Sequence, residues 1–298
     1  MKWILLVLLF LSFSVKSQTL HAIMVSDVED PKLGGVSLRD EETILQILKS
    51  AESGTGLELK TYYHNRASFT AKAVRETLSQ MRVGAKDVVF FYYTGLGFYP
   101  DANSQFPTFK LKESFMQRLP VGKPPPSLDE VGDILQQRGV RLNVVMADCR
   151  NTTASFSDYP GPIPDEDVRN VFWKKLFLGS CGLVKIASAK EGQKVWGDGR
   201  PSGSMYIFLF NKAFEELLES GFDGIRQATW PQFLKKTETH PKTLDMDFFS
   251  FDPNDYKQTP LFEIKACTAS QRRNNPIRFL SAFYDSGACF RGALCLWP

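Results

Sequence analysis

The chain has 298 residues, with 36 Lys+Arg against 33 Asp+Glu, and hydrophobic residues make up 43% of it. That is enough apolar material for a substantial packed core, and a formal charge of +3 with no block of like charges excludes a nucleic-acid binder. Three histidines, His21, His64 and His240, accompany five cysteines with no CxxC and no HExxH, which argues against a zinc enzyme.

In chain order, Lys2, the apolar run 3–13 and Val15-Lys16-Ser17 read as a signal peptide over residues 1–17, cut before Gln18. The competing reading of this run is an uncleaved anchor. Cleavage removes Lys2 and Lys16 and lowers the formal charge from +3 to +1. No later run is long and apolar enough to span a bilayer, so a secreted or periplasmic chain with no membrane partner is expected, in a compartment where disulfides persist. Five cysteines leave at least one outside any intrachain pair. Cys267, Cys289 and Cys295 are the expected pairing set, with the pairing itself open.

Residues 20–25 read as a buried strand, and 37–51 as a helix with Ile44, Leu45, Leu48 and Ala51 on one face. A second strand is predicted at 57–63, and an amphipathic helix at 69–81 through Val74, Leu78 and Met81. Residues 88–93 are nearly all apolar, as in a strand buried on both faces of a parallel sheet. Beyond a Pro-rich linker at 119–126, Ser127-Leu128-Asp129-Glu130 has the form of a capping box. It opens a helix with Leu128, Val131, Ile134 and Leu135 inward, ended by Gly139. Residues 142–147 read as a fourth strand, 157–167 as a surface loop, 183–189 as a fifth strand and 205–218 as an apolar helix. The stretch from Lys265 reads as an irregular, cysteine-stapled tail.

This alternation predicts an α/β fold, a three-layer sandwich with a mostly parallel sheet. Ligands in such sheets bind beyond the carboxyl ends of the strands. Two loops lie there: Thr94-Gly95-Leu96-Gly97-Phe98 and Ala147-Asp148-Cys149-Arg150-Asn151.

These loops, together with LHAIMVSD, GGVSLRDEETILQIL, DVVFFYYTGLGF, LNVVMADCRN, KKLFLGSCGLVKIASAKEGQ, GSMYIFLFNKAFEELL, TWPQFLKKTET and QTPLFEI, carry a resemblance. In this order, over roughly 19–265, the chain resembles secreted bacterial caspase-like proteins, of the caspase and metacaspase group of cysteine peptidases (peptidase C14, clan CD). The resemblance implies a caspase-like domain at 18–265: a large-subunit-like part at 18–156, a linker at 157–167, a small-subunit-like part at 168–265, and a tail at 266–298. It also implies a Cys–His dyad. A neutral thiol is a poor nucleophile without a base or cation to lower its pKa.

The dyad positions are substituted. The family's Tyr-Ser-Gly-His-Gly stands here as Tyr93-Thr94-Gly95-Leu96-Gly97, with Leu96 at the histidine position. Where the family has Asp, any residue, then Cys, Asp148 is followed by Cys149 and Arg150, so Arg150 holds the cysteine position. Arg150 is permanently protonated and no nucleophile. Cys149 is the candidate residual nucleophile if a local deletion brings it into place; otherwise it is a small buried residue at a strand end. In the family's strand order His64 lies about 14 Å from strand four and His21 at the far end of the sheet, beyond the reach of a general base.

What the resemblance leaves is a pocket. Gly95 and Gly97 retain the loop, with Gly97 able to offer its N–H as an oxyanion donor, and Asp148 matches the acid that holds a basic side chain. The alternative for Asp148 is a local pair with Arg150 or a backbone amide. Asp27, Glu29 and Asp30 read as a solvated loop. No cofactor is expected; Asp165-Glu166-Asp167 is weighed as a calcium site against a solvated loop.

The expected function is a pseudo-peptidase that binds a peptide or protein ligand, an active caspase-like relative among the partners considered. The alternative is an active cysteine endopeptidase, cleaving after basic residues through Cys149. A different α/β hydrolase has no G-x-S-x-G or phosphate loop in its favour.

Overall fold

Runs of β-branched and aromatic residues alternate with amphipathic stretches along this chain, and each becomes the element its period dictates. The computed structural model describes residues 18–100, 105–112, 124–149, 152–153, 166–193, 196–197, 203–238 and 258–273. The signal-peptide run, the linker at 119–123, Arg150, Asn151, Asp165, His240, Cys289 and Cys295 lie outside the described residues.

The order is β1 (Thr19–Ser26), α1 (Gly34–Thr55), β2 (Glu58–His64), α2 (Ala71–Gln80), β3 (Val88–Gly95), α3 (Leu128–Gln137) and β4 (Leu142–Cys149). There follow α4 (Glu166–Trp173), β5 (Gly182–Ala187), α5 (Met205–Glu219), α6 (Gly221–Gln227), α7 (Trp230–Thr237), β6 (Leu261–Lys265) and α8 (Ala269–Arg273). The sheet runs β6-β5-β4-β3-β1-β2, parallel throughout except for the antiparallel edge strand β6. Two-residue ladders pair Gly97–Phe98 with Thr108–Phe109 and Thr152–Thr153 with Trp196–Gly197. The fold is therefore the expected α/β three-layer sandwich with a mostly parallel sheet. Among the described residues no helix is long and apolar enough to cross a membrane.

Successive strand side chains point to opposite faces, so each central strand feeds two cores. Met24, Tyr92 and Met146 pack with α1, α4, α5 and α7. Val25, Tyr93 and Ala147 pack with α2 and α3. The first core is dominated by rings: Trp173 lies 4.9 Å from Phe214, and Phe214 stacks on Phe233 at 4.1 Å between centroids. Burying each such side chain contributes about 1.5–3 kcal/mol.

Three expectations change. Of the segment 157–167, residues 157–165 lie outside the described residues, and Glu166 and Asp167 form the first turn of α4, where negative charge suits the helix dipole. Second, α4 and the π-helical turn Lys174–Leu178 that prolongs it supply Phe172, Trp173, Leu176 and Phe177 to the core, where no helix was expected. Third, Cys267 pairs with Cys181, across 5.4 Å between Cα atoms, rather than with the late cysteines. Antiparallel pairing of β6 with β5 sets Lys265 beside Leu183, so the residues just outside that pair meet and the bond ties the edge strand to the sheet. At α3, Ser127 caps the helix by accepting from Glu130 N at 3.1 Å, while the Glu130 carboxylate grips Arg75.

Candidate functional site

The carboxyl ends of the strands bring both sequence-nominated loops together. Parallel pairing sets Ser26 beside Thr94, Thr94 beside Asp148, and Gly95 beside Cys149. Alternation then divides the residues. Asp148 continues the face of Met146, and Cys149 continues the face of Ala147, where it packs against the α2/α3 core.

On the α1/α5 face the polar groups form a layer closed to solvent. Ser26, Asp40, Thr94, Asp148 and Ser204 are all fully buried. Asp40 binds the start of α5, with Oδ1 accepting from Ser204 N at 2.7 Å and Oδ2 from the Thr94 hydroxyl at 3.5 Å. Gly203, at φ 79°, passes so close to Asp40 that a Cβ there would overlap its Oδ1. Burial raises the carboxyl of Glu41 above its ordinary range, against the neighbouring Ser26 and Asn65 side chains, which lower it. Burial, with Asp30 nearby, does the same for Asp27. Tyr206 at the head of α5 is raised chiefly by burial, with the Asp148 charge adding to it. Asp148 thus lies beneath the surface, on the face of the sheet that α5 covers.

The α2/α3 face holds Cys149, partly exposed and outside any disulfide. Gly97 presses against it: a Cβ at 97 would overlap the Cys149 Sγ and stand 2.7 Å from its Cβ. Gly95 is also close-packed, since a Cβ there would stand 2.9 Å from the Tyr93 hydroxyl. Beside the thiol is a cavity of about 140 Å³, lined by Cys149, Gly97, Tyr99, Pro107, Lys190 and Gln193 among others. The Tyr99 hydroxyl donates to Ala189 O at 2.8 Å. Its pKa is pushed well above the ordinary phenol value by burial and then by the Cys149 charge, so it stays protonated and takes no proton from a thiol.

Imidazole does not reach this place from either described histidine. His21 lies at the amino end of β1, between the Tyr62 hydroxyl and Asp87, each 3.2 Å away. His64 ends β2, and β1 and β3 stand between it and β4, about 14 Å at the sheet spacing. It is buried, and burial lowers its pKa. Leu96 is half-buried, and its carbonyl accepts from Lys110 N at 2.9 Å and from the Tyr93 hydroxyl.

Sequence reasoning passed over Asp40, although its pattern was visible. Val36, Asp40 and Ile44 fall at helical spacing on the buried side of α1, so a charged residue stood at a core position. Tyr99 and Lys190 gave no comparable signal, because only the tertiary fold brings their loops beside Cys149.

No family model matches the chain, and no curated protein sequence matches it. Among solved structures, a protein of Geobacter sulfurreducens is similar with 16% identity over 85% of this chain and 94% of that one, at a TM-score of 0.44. Caspase-1 of Spodoptera frugiperda is similar with 13% identity over 85% of this chain and 87% of that one, at a TM-score of 0.41.

Proposed function

We propose that this chain is a caspase-like, exported pseudo-peptidase that acts by binding a peptide or protein rather than by cleaving it. One observation carries the proposal: among the described residues neither His21 nor His64 lies beside Cys149. Leu96 holds the position where the resemblance calls for histidine, the described histidines lie elsewhere, and the neighbouring Tyr99 is held in its protonated form. The Cys181–Cys267 bond supports an oxidising compartment. Gly97 and the cavity beside Cys149 are proposed to shape the ligand site, with an Arg- or Lys-containing peptide as the ligand class that the resemblance implies; Gly95 and Asp148 are buried and do not line that cavity.

The test is binding without turnover. Fluorescence anisotropy with peptides carrying Arg or Lys is expected to saturate while mass spectrometry recovers every peptide intact. Absence of saturable binding to any of these peptides, set against an alanine-containing control, overturns the proposal.

A second reading, an active cysteine endopeptidase using Cys149, has the partly exposed thiol beside its own cavity in its favour. Rapid alkylation of folded Cys149 well below pH 8 would support it. A thiol that reacts only after unfolding removes it.

A further inference from the structure

At the other end of the sheet, beyond the amino ends of the strands, lies a cavity of about 520 Å³. Gln18, His21, Lys60, Arg82, Lys86 and Asp87 are among the residues that bound it. Arg141, the residue before β4, does not line this cavity and has no exposed surface, but it is hydrogen-bonded to two residues that do, Gln18 and Asp87. Its backbone is fixed on both sides, since Arg141 N donates to Asp87 O at 3.1 Å and Gly182 N donates to Arg141 O at 2.8 Å.

The guanidinium is only partly used. Nη1 donates to Gln18 Oε1 at 3.1 Å, whereas Nε and Nη2 are buried without a hydrogen-bond partner. Those two nitrogens form the edge of the group whose parallel N–H bonds match the two oxygens of a carboxylate or phosphate. A buried donor edge left unmet is unfavourable, and burial pulls this guanidinium down to about 10 despite the opposing field of Asp87.

The acids nearby do not fill that edge. Asp87 accepts from His21 Nε2 at 3.2 Å, from Thr19 N at 3.0 Å and from Gly84 N at 2.6 Å. Glu58 is exposed on the rim. Lys60, Arg82 and Lys86 are exposed around the same rim, with Lys60 above the Tyr62 ring at 5.4 Å. On the lining itself Lys60, Arg82 and Lys86 outnumber the two carboxylates, Glu58 and Asp87, so the cavity favours an anion.

We propose that this cavity binds a small oxyanion, a carboxylate or a phosphate, on the Nε–Nη2 edge of Arg141. Lys60, Arg82 and Lys86 attract it, and it reaches Arg141 by displacing the Gln18 side chain, which lines the cavity and is bonded to the guanidinium. The site is independent of Cys149 and of the function proposed above.

Isothermal titration of the purified protein with inorganic phosphate and with citrate, at constant ionic strength and with chloride as control, tests it. One saturable site is expected for at least one of the two, and the pair separates a phosphate ligand from a carboxylate. Arg141→Lys keeps the charge but loses the two-pronged edge, and is expected to weaken binding about tenfold. Should that variant fail to fold, the surface variant Lys60→Ala/Lys86→Ala is expected to weaken binding about threefold and flatten its salt dependence. No saturable response to either anion at millimolar concentration overturns the proposal. So does an affinity unchanged in the folded variants, which would leave solvent water as the partner of the Arg141 edge.

Discussion

Asp148 and Cys149 are neighbours in sequence and lie in opposite layers of the sheet. Asp148 is buried among the polar groups under α1 and α5, and Cys149 faces the cavity on the side of α2 and α3. In the caspase-like pattern that the sequence resembles, the acid and the cysteine would stand two residues apart, on one face of an extended segment. A one-residue offset separates them across the sheet. That offset, with Leu96 in place of a base, underlies the proposed loss of catalysis.

Gly97 is expected to tolerate no side chain. Gly97→Ala puts a methyl into the space of the Cys149 Sγ and should lower unfolding stability by about 1–3 kcal/mol. Denaturant titration measures it. The double variant with Cys149→Gly should recover part of the loss, a non-additivity expected only if the two residues share that space.

Asp40 should matter more than any exposed acid. Asp40→Ala removes the acceptor for Ser204 N and the Thr94 hydroxyl, leaving two buried donors, and should cost about 2–4 kcal/mol. A loss within measurement error would mean that Ser204 N and the Thr94 hydroxyl are satisfied by other acceptors.

Reduction of Cys181–Cys267 should release the edge strand. The bond closes a loop with a sequence separation of 86, and its removal should cost about 2–4 kcal/mol. The double variant Cys181→Ser/Cys267→Ser should show a lowered thermal midpoint that reductant no longer changes, while the parent falls to that midpoint on reduction.

Stability should depend on pH through His64. Burial depresses its folded pKa below the ordinary 6.5, so around that value the unfolded chain binds more protons than the folded one. The stabilisation is full above pH 6.5 and is lost as pH falls through 6.5 towards the folded pKa. Glu41, raised by burial, acts in the opposite sense from 4.5 upward, so the comparison must be with a His64→Gln variant. Its unfolding free energy should change less between pH 7 and 5.5 than the parent's. Equal slopes would contradict the assignment.

Most of the sheet was legible because period and composition agree there. The run 88–93 is apolar on both sides since helices cover both faces of β3, and the Ser127 cap marked the start of α3 locally. The edge strand β6 was less so: only residues 261–265 pair, with partly exposed side chains and little apolar alternation. Cys181 looked unremarkable because its partner is brought to it by antiparallel pairing of strands distant in sequence. Of the site, the two loops could be nominated from the strand ends alone, and Leu96 and Cys149 within them only from the resemblance. The burial of Asp148 under α5, the contact of Gly97 with Cys149 and the protonated Tyr99 depend on tertiary packing that no local pattern encodes.

The central claim is that Cys149 does no chemistry on peptides. It is tested most directly by following hydrolysis of Arg- and Lys-directed fluorogenic peptides by the parent protein and by Cys149→Ala, side by side. The two are expected to show the same background rate, indistinguishable from buffer. Hydrolysis by the parent that disappears in Cys149→Ala would contradict the account.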